Sequence, residues 1–580
     1  MVSVSHEDGI RVSARAYSLT FRPGRPYAVL TDADGATWAD LLLCSSLHTS
    51  AGLDDTAALS EPVVETDADA VTVTVDARSS VWASRRLVLR CRDDVLALRA
   101  EVAGSASLTD AFLLGGYSSV EPHRGTGWFA SGAGFRSLVN PGPSSPDSLA
   151  VPAAEPATVD VVGGSQPGRG NWFFTPPPFC YPVSRSPVSG PGLPDGPWMT
   201  MGVATSPGEQ QFTGFHFEPG ERTFSLRLSY EGATRVDGAF ATPWLLFTFG
   251  AADPYAGITA YVRATGFAPP RRDVAAWWRS PIFCSWGAQC HLAWTSGGRA
   301  ADFATQQQYD RYLAELGEHG IAPGTLVIDD KWERAYGTGE PDLERWPDLR
   351  AWIARRHAEG RRVLLWWKAW DPEGLPPELC VRNAAGRRVS VDPSNPAYVE
   401  RLESAISRML SADGYDADGL KVDFTAMTPS GPGMSRHGTA WGVELLHRLM
   451  QAIHDAAKRA KPDALVMTHT PNPSFAGVTD MIRLNDVQRL EDRSPGADFV
   501  AHMVHRAKIV RATLPGVLID TDNWAMPDRA TWRRYLDVQG ELGVPSLYYT
   551  THVDCSGEAF EEEDYAALRE AWAAYRASLR

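Results

Sequence analysis

The amino-acid sequence predicts a multidomain protein in which an N-terminal antiparallel β-sandwich is followed by a (β/α)8 (TIM) barrel. Three observations lead to this prediction. The chain has 580 residues, whereas a single hydrophobic core stops growing at about 250–300 residues. Apolar and polar residues alternate in the first half, and a repeated order of strand, loop and helix replaces this alternation in the second half. We expect a sandwich domain over residues 1–267 and a catalytic barrel with a C-terminal helix over residues 268–580.

Composition and charge exclude several classes of protein. Hydrophobic residues make up 44% of the chain and charged residues 22%, as in ordinary globular proteins. The formal net charge of −15 argues against a nucleic-acid partner, because phosphate binding requires clustered basic residues. The sequence has no run of 18 apolar residues, so we expect no membrane partner. A homo-oligomer is compatible with this composition.

The cysteines and the first residues indicate a cellular location. Seven cysteines are scattered without metal-ligand spacing, which favours reduced thiols packed as small core residues. The opening segment MVSVSHEDGI lacks the apolar stretch of a secretion signal. We therefore expect a cytoplasmic protein.

Several segments of the first half have the two-residue period of half-buried strands. They are residues 71–75, 86–92, 95–102, 212–217, 223–228 and 244–249. Between residues 140 and 197 the sequence is rich in Pro and Gly, and we interpret it as long loops of the sandwich because Trp172, Phe173 and Phe174 lie within it. The segment APPRR at residues 268–272 has the composition of a short, stiff linker.

Eight candidate strands follow the linker, and they alternate with helical patterns such as those of residues 398–410 and 441–457. The strands are predicted at residues 282–286, 325–329, 362–367, 420–424, 464–469, 481–486, 517–520 and 546–549. This number and length are typical of a (β/α)8 barrel. The competing architecture is a doubly wound open sheet, for which a Gly-x-Gly-x-x-Gly motif after the first strand is expected and is absent.

Acidic residues recur where the predicted barrel strands end, which is where barrel enzymes place their catalytic groups. They are Asp329 and Asp330, Asp371, Asp423, Asp486, and Asp520 and Asp522. A single acid of this kind can instead cap the following helix. Five strand ends with acids, three of them beside Trp, indicate an acidic, aromatic-walled rim. Sugar cleavage requires such a rim, because two carboxylates must flank the positive charge that builds on the sugar.

Five motifs in this half, spread over roughly residues 275–555, resemble those of the α-galactosidases of glycoside hydrolase clan D. They are Cys284-Ser285-Trp286 on the first strand, IDDKW at residues 328–332 on the second, SVDPSNP at residues 390–396, DGLKVDF at residues 418–424 on the fourth, and MIRLND at residues 481–486 on the sixth. The resemblance implies a retaining exo-α-glycosidase that cleaves a terminal α-linked sugar from an oligosaccharide or glycoside without a cofactor.

The resemblance also implies roles for individual residues. Asp423 is the expected nucleophile, and Lys421 on the same strand face would lower its pKa. Asp486 is the expected acid/base, with Asp480, Glu491, Asp492, Asp520 and Asp522 as rivals. The remaining substrate-binding candidates are Asp329, Asp330, Trp332, Trp286, Trp366, Trp367, Lys368, Lys421, Arg483, His469 and Asp522; His552 is a further histidine at the rim.

The sequence departs from the family pattern after the fifth strand, where THTPNP at residues 468–473 replaces a Cys and a Gly-Gly-x-Arg. The sugar therefore stays open, and specificity of the α-glucosidase or α-xylosidase type remains an alternative. Lys331 replaces a Gly of the second motif, so Lys331 and Lys368 either meet an anionic substituent or are solvated surface lysines. A transglycosylase on the same scaffold is a further alternative.

A metal-dependent barrel hydrolase and an inactive sugar-binding protein are the remaining alternatives. His502 and His505 stand three apart on a predicted helix and could ligate a metal. We predict no metal, because the first strand lacks a His-x-His motif and the helix of residues 500–514 is expected to face outward from the barrel.

Overall fold

The structure is a computed structural model that describes residues 2–7, 9–118, 129–130, 135–142, 149–160, 174–188, 192–220, 223–270, 273–487 and 498–580. Six residues singled out in the sequence, namely Trp172, Phe173, Arg271, Arg272, Glu491 and Asp492, lie outside these ranges.

Antiparallel strands form most of the described first half, so the predicted sheet-rich N-terminal region is confirmed. A five-stranded sheet comes first, with its strands paired in chain order. Its strands are β1 (Ser3–Ser5), β2 (Ile10–Ser13), β3 (Tyr17–Phe21), β4 (Tyr27–Asp32) and β5 (Thr37–Leu42). The boundary at residue 267/268 stays a prediction.

A larger sheet of 16 strands follows, and it is built around long central strands. Its strands are β6 (Leu47–Thr49), β7 (Asp55–Leu59), β8 (Val63–Thr66), β9 (Val71–Ser79), β10 (Ser84–Cys91), β11 (Val95–Leu113), β12 (Tyr117–Ser118), β13 (Phe129–Ala130), β14 (Ser137–Leu138), β15 (Val151–Pro152), β16 (Ala157–Asp160), β17 (Cys180–Ser184), β18 (Trp198–Ala204), β19 (Gly214–Pro219), β20 (Thr223–Ala241) and β21 (Trp244–Ala251). The predicted alternation of buried and exposed side chains is present in β9, which buries Val71, Val73 and Val75 and leaves the intervening threonines partly exposed.

Helix α1 (Pro254–Ala264) ends the antiparallel half. The Asp253 side chain caps it by accepting from the N–H groups of Tyr255 and Ala256, and Pro254 occupies the first turn. The helix packs against β21 and β18.

Parallel strands form the second half, and they close into a nearly complete barrel, as predicted. The strands of this half are β22 (Ile282–Cys284), β23 (Thr325–Ile328), β24 (Arg362–Lys368), β25 (Cys380–Arg382), β26 (Arg388–Val391), β27 (Gly419–Asp423), β28 (Leu465–Thr468), β29 (Met481–Arg483), β30 (Leu518–Asp520) and β31 (Ser546–Leu547). Eight of them pair in the order β30-β29-β28-β27-β24-β23-β22-β31, and β25 and β26 form a separate hairpin. An isolated β-bridge between Asp520 and Val544 narrows the gap that remains between β30 and β31.

Several strands end earlier than the sequence predicts. The sixth barrel strand, β29, ends at Arg483 rather than at residue 486, because Asn485 has a left-handed backbone with φ of 67°. Phe424, directly after β27, has φ of 59°. The acidic residues near these positions therefore lie on rim loops or at the last strand residue.

Eight helices of the described ranges accompany the barrel strands. They are α2 (Trp286–Ser296), α3 (Gln306–Glu318), α4 (Leu349–Ala358), α5 (Pro396–Leu410), α6 (Gly442–Ala460), α7 (Phe499–Thr513), α8 (Arg529–Leu542) and α9 (Glu562–Ser578). Among them, α5 and α6 are clearly amphipathic. In α5 the Asn395 side chain caps the first turn, and Tyr398, Leu402, Ile406 and Met409 are buried at intervals of three and four. Among the described helices, none is long and apolar enough to cross a membrane.

The antiparallel half contacts the barrel next to the strand ends. The N–H of Val443 donates to the carbonyl of Phe212 at 2.9 Å. Gly442 permits this approach, because its φ is 57° and an added Cβ would lie 2.1 Å from the Phe212 carbonyl oxygen. Likewise, the N–H of Thr175 donates to the carbonyl of His469 at the end of β28. Residues of the first half therefore reach the rim.

Candidate active site

Asp423 is the last residue of β27 and lies at the rim with 18% of its side chain exposed. Its Oδ1 accepts from Arg483 Nη2 at 3.0 Å and from the N–H of Phe424 at 2.8 Å. Its Oδ2 accepts from Trp366 Nε1 at 3.2 Å. Burial opposes the charge, but the positive charges of Arg483 and Lys421 and the N–H of Phe424 outweigh it and hold the pKa of Asp423 below its usual range. Asp423 is therefore an ionised carboxylate, as a nucleophile must be.

Arg483, at the end of β29, links three carboxylates. Its Nη2 bonds to Asp423, whereas its Nη1 donates to Asp486 Oδ1 at 3.0 Å and to Asp522 Oδ2 at 2.9 Å. Only 2% of the Arg483 side chain is exposed. One buried guanidinium thus holds Asp423 and Asp486, the two predicted catalytic acids, on the same side of the barrel mouth.

Asp486 differs from Asp423 in its protonation. Its side chain is 31% exposed. Burial, together with the negative charges of Asp522 and Asp423, raises the pKa of Asp486 to about 7, although Arg483 opposes the shift. Two neighbouring carboxyl groups with pKa values shifted in opposite directions are the arrangement that separates an acid/base from a nucleophile.

Arg506, which the sequence did not single out, holds the loop that carries Asp486. From α7 its Nη1 donates to the carbonyls of Leu484 at 2.6 Å and Asn485 at 2.7 Å, and its Nη2 donates to the carbonyl of Asp486 at 3.0 Å. Burial lowers the pKa of Arg506 to about 9. In the sequence Arg506 is one of several basic residues of a helical segment, and nothing there sets it apart.

Asp329 and Lys421 form a buried ion pair beneath the rim. Lys421 Nζ lies 2.7 Å from Asp329 Oδ2, and Cys284 Sγ donates to the same oxygen at 3.0 Å. Burial lowers the pKa of Lys421, but the Asp329 carboxylate outweighs it and raises this pKa. Both oxygens of Asp329 accept from protein donors, and its role in binding the sugar stays a prediction. The interpretation of Cys284 as a plain core residue is also too simple, since its thiol belongs to this cluster.

Asp330 lies above this pair and remains partly exposed. Its Oδ1 accepts from Tyr336 Oη at 2.6 Å, and burial raises the pKa of Asp330 to about 6. Lys331 Nζ and Lys368 Nζ lie 4.1 and 4.3 Å from the centre of the Tyr336 ring. The sequence missed Tyr336, which follows the motif by four residues.

Both lysines have carboxylate partners. Lys331 pairs with Glu373 at 2.7 Å and Lys368 with Asp371 at 2.8 Å, and about a fifth of each lysine side chain is exposed. Because each lysine is paired with a carboxylate, neither is a freely solvated surface residue. Neither has an unpaired charge for an anionic substituent of the sugar either, so the contacts match neither prediction fully.

The four predicted tryptophan walls separate into two groups. Trp366 donates to Asp423, and Trp286 is partly exposed at the rim. Trp332 and Trp367 are buried in the core, so their prediction as pocket walls is wrong. Adjacent residues on a strand point to opposite faces, so Trp366 and Trp367 cannot both face the pocket. Trp332 is covered because its Nε1 donates to the carbonyl of Trp366.

His469 stands beside Asp423, with Nδ1 3.8 Å from Asp423 Oδ1. Its Nε2 forms a hydrogen bond with Thr425 Oγ1, and the Thr425 hydroxyl donates to the carbonyl of Thr175 at 3.2 Å. Burial lowers the pKa of His469 to about 3, so the ring is neutral. The antiparallel half, through Thr175, thus supports the residue next to Asp423.

Three of the rival acids, Asp480, Asp520 and Asp522, lie in the described ranges, and each has other hydrogen-bond partners, whereas Glu491 and Asp492 lie outside these ranges. Asp480 lies at the opposite end of β29 and accepts from Lys458 Nζ and the N–H of Val466. Asp520 is buried and accepts from Ser546 Oγ. Asp522 is fully buried, and its two oxygens accept from Arg483 and from the N–H of Trp524. The predictions of Asp522 as a substrate ligand or acid/base are therefore corrected: it bonds to Arg483 instead.

The two histidines of α7 are engaged with protein partners and are not free to ligate a metal together. His502 accepts from Arg506 Nε at 2.9 Å, and His505 Nδ1 lies 2.7 Å from Tyr255 Oη of α1. Both are buried because α1 packs over α7. Across the described ranges, no cluster of three His, Cys, Asp or Glu side chains is arranged to hold a metal ion.

Trp524 and His291 are two further aromatic residues near the rim that the sequence did not single out. Trp524, after β30, packs edge-to-face on Trp286 with ring centres 6.0 Å apart. His552, predicted at the rim, stacks on His291 of α2 at 4.2 Å. The signal for Trp524 was its position two residues after Asp522.

Comparisons with known proteins agree with this architecture. No family model and no curated protein matches the chain. Among solved structures, TtGalA, an α-galactosidase from Thermus thermophilus in complex with stachyose, is 15% identical over 88% of this chain and 99% of that chain, with a TM-score of 0.53. The GH36 α-galactosidase AgaB from Geobacillus stearothermophilus is 12% identical over 99% and 86% of the two chains, with a TM-score of 0.52. A GH31 family sulfoquinovosidase from E. rectale is 11% identical over 99% and 82%, with a TM-score of 0.59. The chain therefore has the fold of the clan D-like α-glycosidases, a sheet-rich N-terminal region followed by a parallel barrel.

Proposed function

We propose that this protein is a retaining exo-α-glycosidase that removes a terminal α-linked sugar from an oligosaccharide or glycoside. The proposal rests on the carboxyl groups of Asp423 and Asp486, which both accept hydrogen bonds from Arg483. Asp423 is held ionised by its donors, whereas Asp486 has a pKa raised to about 7. These are the protonation states that the first step of a double displacement requires.

In the first step, Asp423 attacks the anomeric carbon while Asp486 gives its proton to the glycosidic oxygen. The Oδ2 atom of Asp423 is the better placed attacking oxygen, because it accepts a single side-chain bond, from Trp366, whereas Oδ1 accepts from Arg483 and Phe424. The bond between the anomeric carbon and the leaving oxygen breaks, and a glycosyl ester on Asp423 forms. The acidic surroundings favour the positive charge on the sugar in the transition state.

In the second step, the roles of the two groups reverse. Asp486, now ionised, takes a proton from water, and this water attacks the anomeric carbon from the side that the leaving group has vacated. The ester bond breaks, and Asp423 and the protonated Asp486 are restored. Two inversions at the same carbon retain its configuration.

We propose that the sugar is uncharged. Lys331 and Lys368 each pair with one carboxylate, and the charge of Arg483 is shared by three. An anionic substituent would therefore add to an acidic site. The similar structures act on different sugars, as the names α-galactosidase and sulfoquinovosidase indicate. A screen of nitrophenyl α-glycosides should accordingly include galactoside, glucoside, xyloside and an anionic sugar.

The decisive experiment is covalent trapping. The 5-fluoro glycosyl fluoride of the sugar that the screen identifies should add the mass of one glycosyl group, on the peptide that contains Asp423. Asp423→Asn should remain unlabelled, whereas Asp486→Ala should still be labelled, because fluoride leaves without a proton. Turnover without a trapped ester would contradict the retaining mechanism. Neither turnover nor label with any α-glycoside would leave the sugar-binding alternative.

A further inference from the structure

The rim around the candidate catalytic pair is closed on the side of the nucleophile. Trp366 and His469, which flank Asp423, are at most 2% exposed, and Thr425 is fully buried. Thr175, from the antiparallel half, covers these residues. Its N–H donates to the carbonyl of His469, and its carbonyl accepts from Thr425 Oγ1. The described residues therefore leave little exposed surface for a leaving group beside Asp423 on this side.

Partly exposed aromatic rings lie on the side of the acid/base instead. Trp524 is tied to the catalytic cluster, because its N–H donates to Asp522 Oδ1 at 2.9 Å and Asp522 shares Arg483 Nη1 with Asp486. The Trp524 ring is fixed by a bond from Nε1 to Asp554 Oδ2 at 2.9 Å. It meets the Trp286 ring edge-to-face at an interplanar angle of 74°.

A stacked pair of imidazoles continues this surface. The rings of His291 and His552 lie 4.2 Å apart and are almost parallel, at 9°. His291 belongs to α2, the helix that begins at Trp286, and His552 precedes Asp554 by two residues. The two indoles and the two imidazoles therefore come from three segments, namely α2, the loop after β30 and the loop after β31, and all four are partly exposed.

We infer that Trp286, Trp524, His291 and His552 form a leaving-group subsite that takes a ring with a flat apolar face. The inference rests on the proposed function, because the acid/base protonates the leaving oxygen and so fixes the leaving group on its own side. A ring with an apolar face is the ligand, since indoles and imidazoles offer flat faces and few hydrogen bonds. Two sources supply such a ring: the next sugar of an oligosaccharide, or an aryl aglycone.

The test compares three substrates of the same glycosyl group: the glycosyl fluoride, which has no leaving-group ring, the nitrophenyl glycoside, and a disaccharide. In Trp524→Ala, the ratio of kcat/KM for a ring-bearing substrate to kcat/KM for the fluoride should fall about tenfold. A fall with the disaccharide alone identifies a sugar as the ring, and a fall with the nitrophenyl glycoside alone identifies an aryl group.

Two variants serve as controls. Trp277→Ala removes a similarly half-buried indole whose Nε1 donates to Asp463 Oδ2, at the opposite end of the barrel, and should leave the ratio unchanged. Trp524→Phe keeps a flat ring but loses the bond to Asp554, and should restore most of the ratio. An unchanged ratio in Trp524→Ala overturns the inference, as does an equal fall in Trp524→Phe. Failure of the wild-type protein to cleave the fluoride would instead contradict the proposed function itself.

Discussion

Asp486 and Asp522 accept hydrogen bonds from the same nitrogen, Nη1 of Arg483, at 3.0 and 2.9 Å. Asp522 has no exposed surface, so its charge acts on Asp486 with little screening by water. Asp423 acts in the same direction, whereas Arg483 and Lys421 act in the opposite direction. Asp486, the proposed acid/base, thus keeps its proton because it is half-buried among other carboxylates.

The pH dependence of the wild-type protein follows from these two carboxyl groups. The acid must be protonated in the free enzyme, so kcat/KM should fall as the pH rises through about 7, the pKa of Asp486. The nucleophile must be ionised, and its pKa is lowered, so the acidic limb should lie below the usual range of an Asp. Measurements of kcat/KM from pH about 3 to 9 should show the basic limb and no acidic limb near the usual pKa of an Asp. A flat profile through neutral pH would contradict the assignment of Asp486.

Asp522→Asn should move the basic limb to lower pH. The substitution removes a buried negative charge beside Asp486 and leaves Arg483 Nη1 with one carboxylate partner instead of two, and both effects lower the pKa of Asp486. The pH profile of kcat/KM with a poor leaving group measures this shift. If the rate fell while the basic limb stayed in place, Asp522 would have a structural role only.

Replacement of the nucleophile should abolish turnover. Asp423→Ala and Asp423→Asn should lower kcat by about 10³-fold or more while the protein still folds, because the carboxylate forms the covalent intermediate. Added azide should restore activity towards a substrate with an activated leaving group and give the inverted glycosyl azide. Asp371→Asn, an acid on the same rim that pairs with Lys368, is the matched control. More than about a tenth of wild-type activity in Asp423→Asn would contradict the assignment.

Chelators should not inactivate the protein. The proposed mechanism uses two carboxyl groups and no Lewis acid. The histidines considered as metal ligands are engaged elsewhere, His502 with Arg506 and His505 with Tyr255. Prolonged EDTA treatment should therefore leave kcat unchanged. Inactivation that zinc or manganese reverses would favour a metal-dependent barrel hydrolase.

The architecture could be predicted from the sequence because it follows from local periodicity. The period of two in β9 and the spacing of apolar residues in α5 are visible without any tertiary information. The position of Asp423 could be predicted for the same reason, since a strand end fixes the rim. The recurrence of acidic residues at strand ends did not reveal which of these acids reach the pocket.

The partners of side chains could not be predicted, because they depend on neighbours that are far apart in the chain. Lys421 precedes Asp423 by two residues, yet its hydrogen-bond partner is Asp329 on another strand. Trp366 and Trp367 look alike in the sequence, and the pleat of β24 decides which one meets Asp423. The burial of Asp522 likewise depends on Arg483, which lies 39 residues away.

Arg506 should affect catalysis through the backbone of the acid/base loop. In Arg506→Met the carbonyls of Leu484, Asn485 and Asp486 lose their donor, and each buried acceptor left unsatisfied costs about 1–3 kcal/mol. The loop should then hold Asp486 less accurately, so kcat/KM should fall more for poor leaving groups than for activated ones. A plot of log kcat/KM against the pKa of the leaving group should become steeper.

The matched control for this variant is on the same helix. Arg511 Nη2 also donates to backbone carbonyls, those of Glu541 and Leu542, but far from Asp486. Arg511→Met should lower the melting temperature at most, with an unchanged slope. Arg506→Lys, which keeps the charge but offers fewer fixed donors, should give an intermediate slope. If Arg506→Met and Arg511→Met had equal slopes, Arg506 would contribute to stability alone, and the position of Asp486 would be set by Arg483.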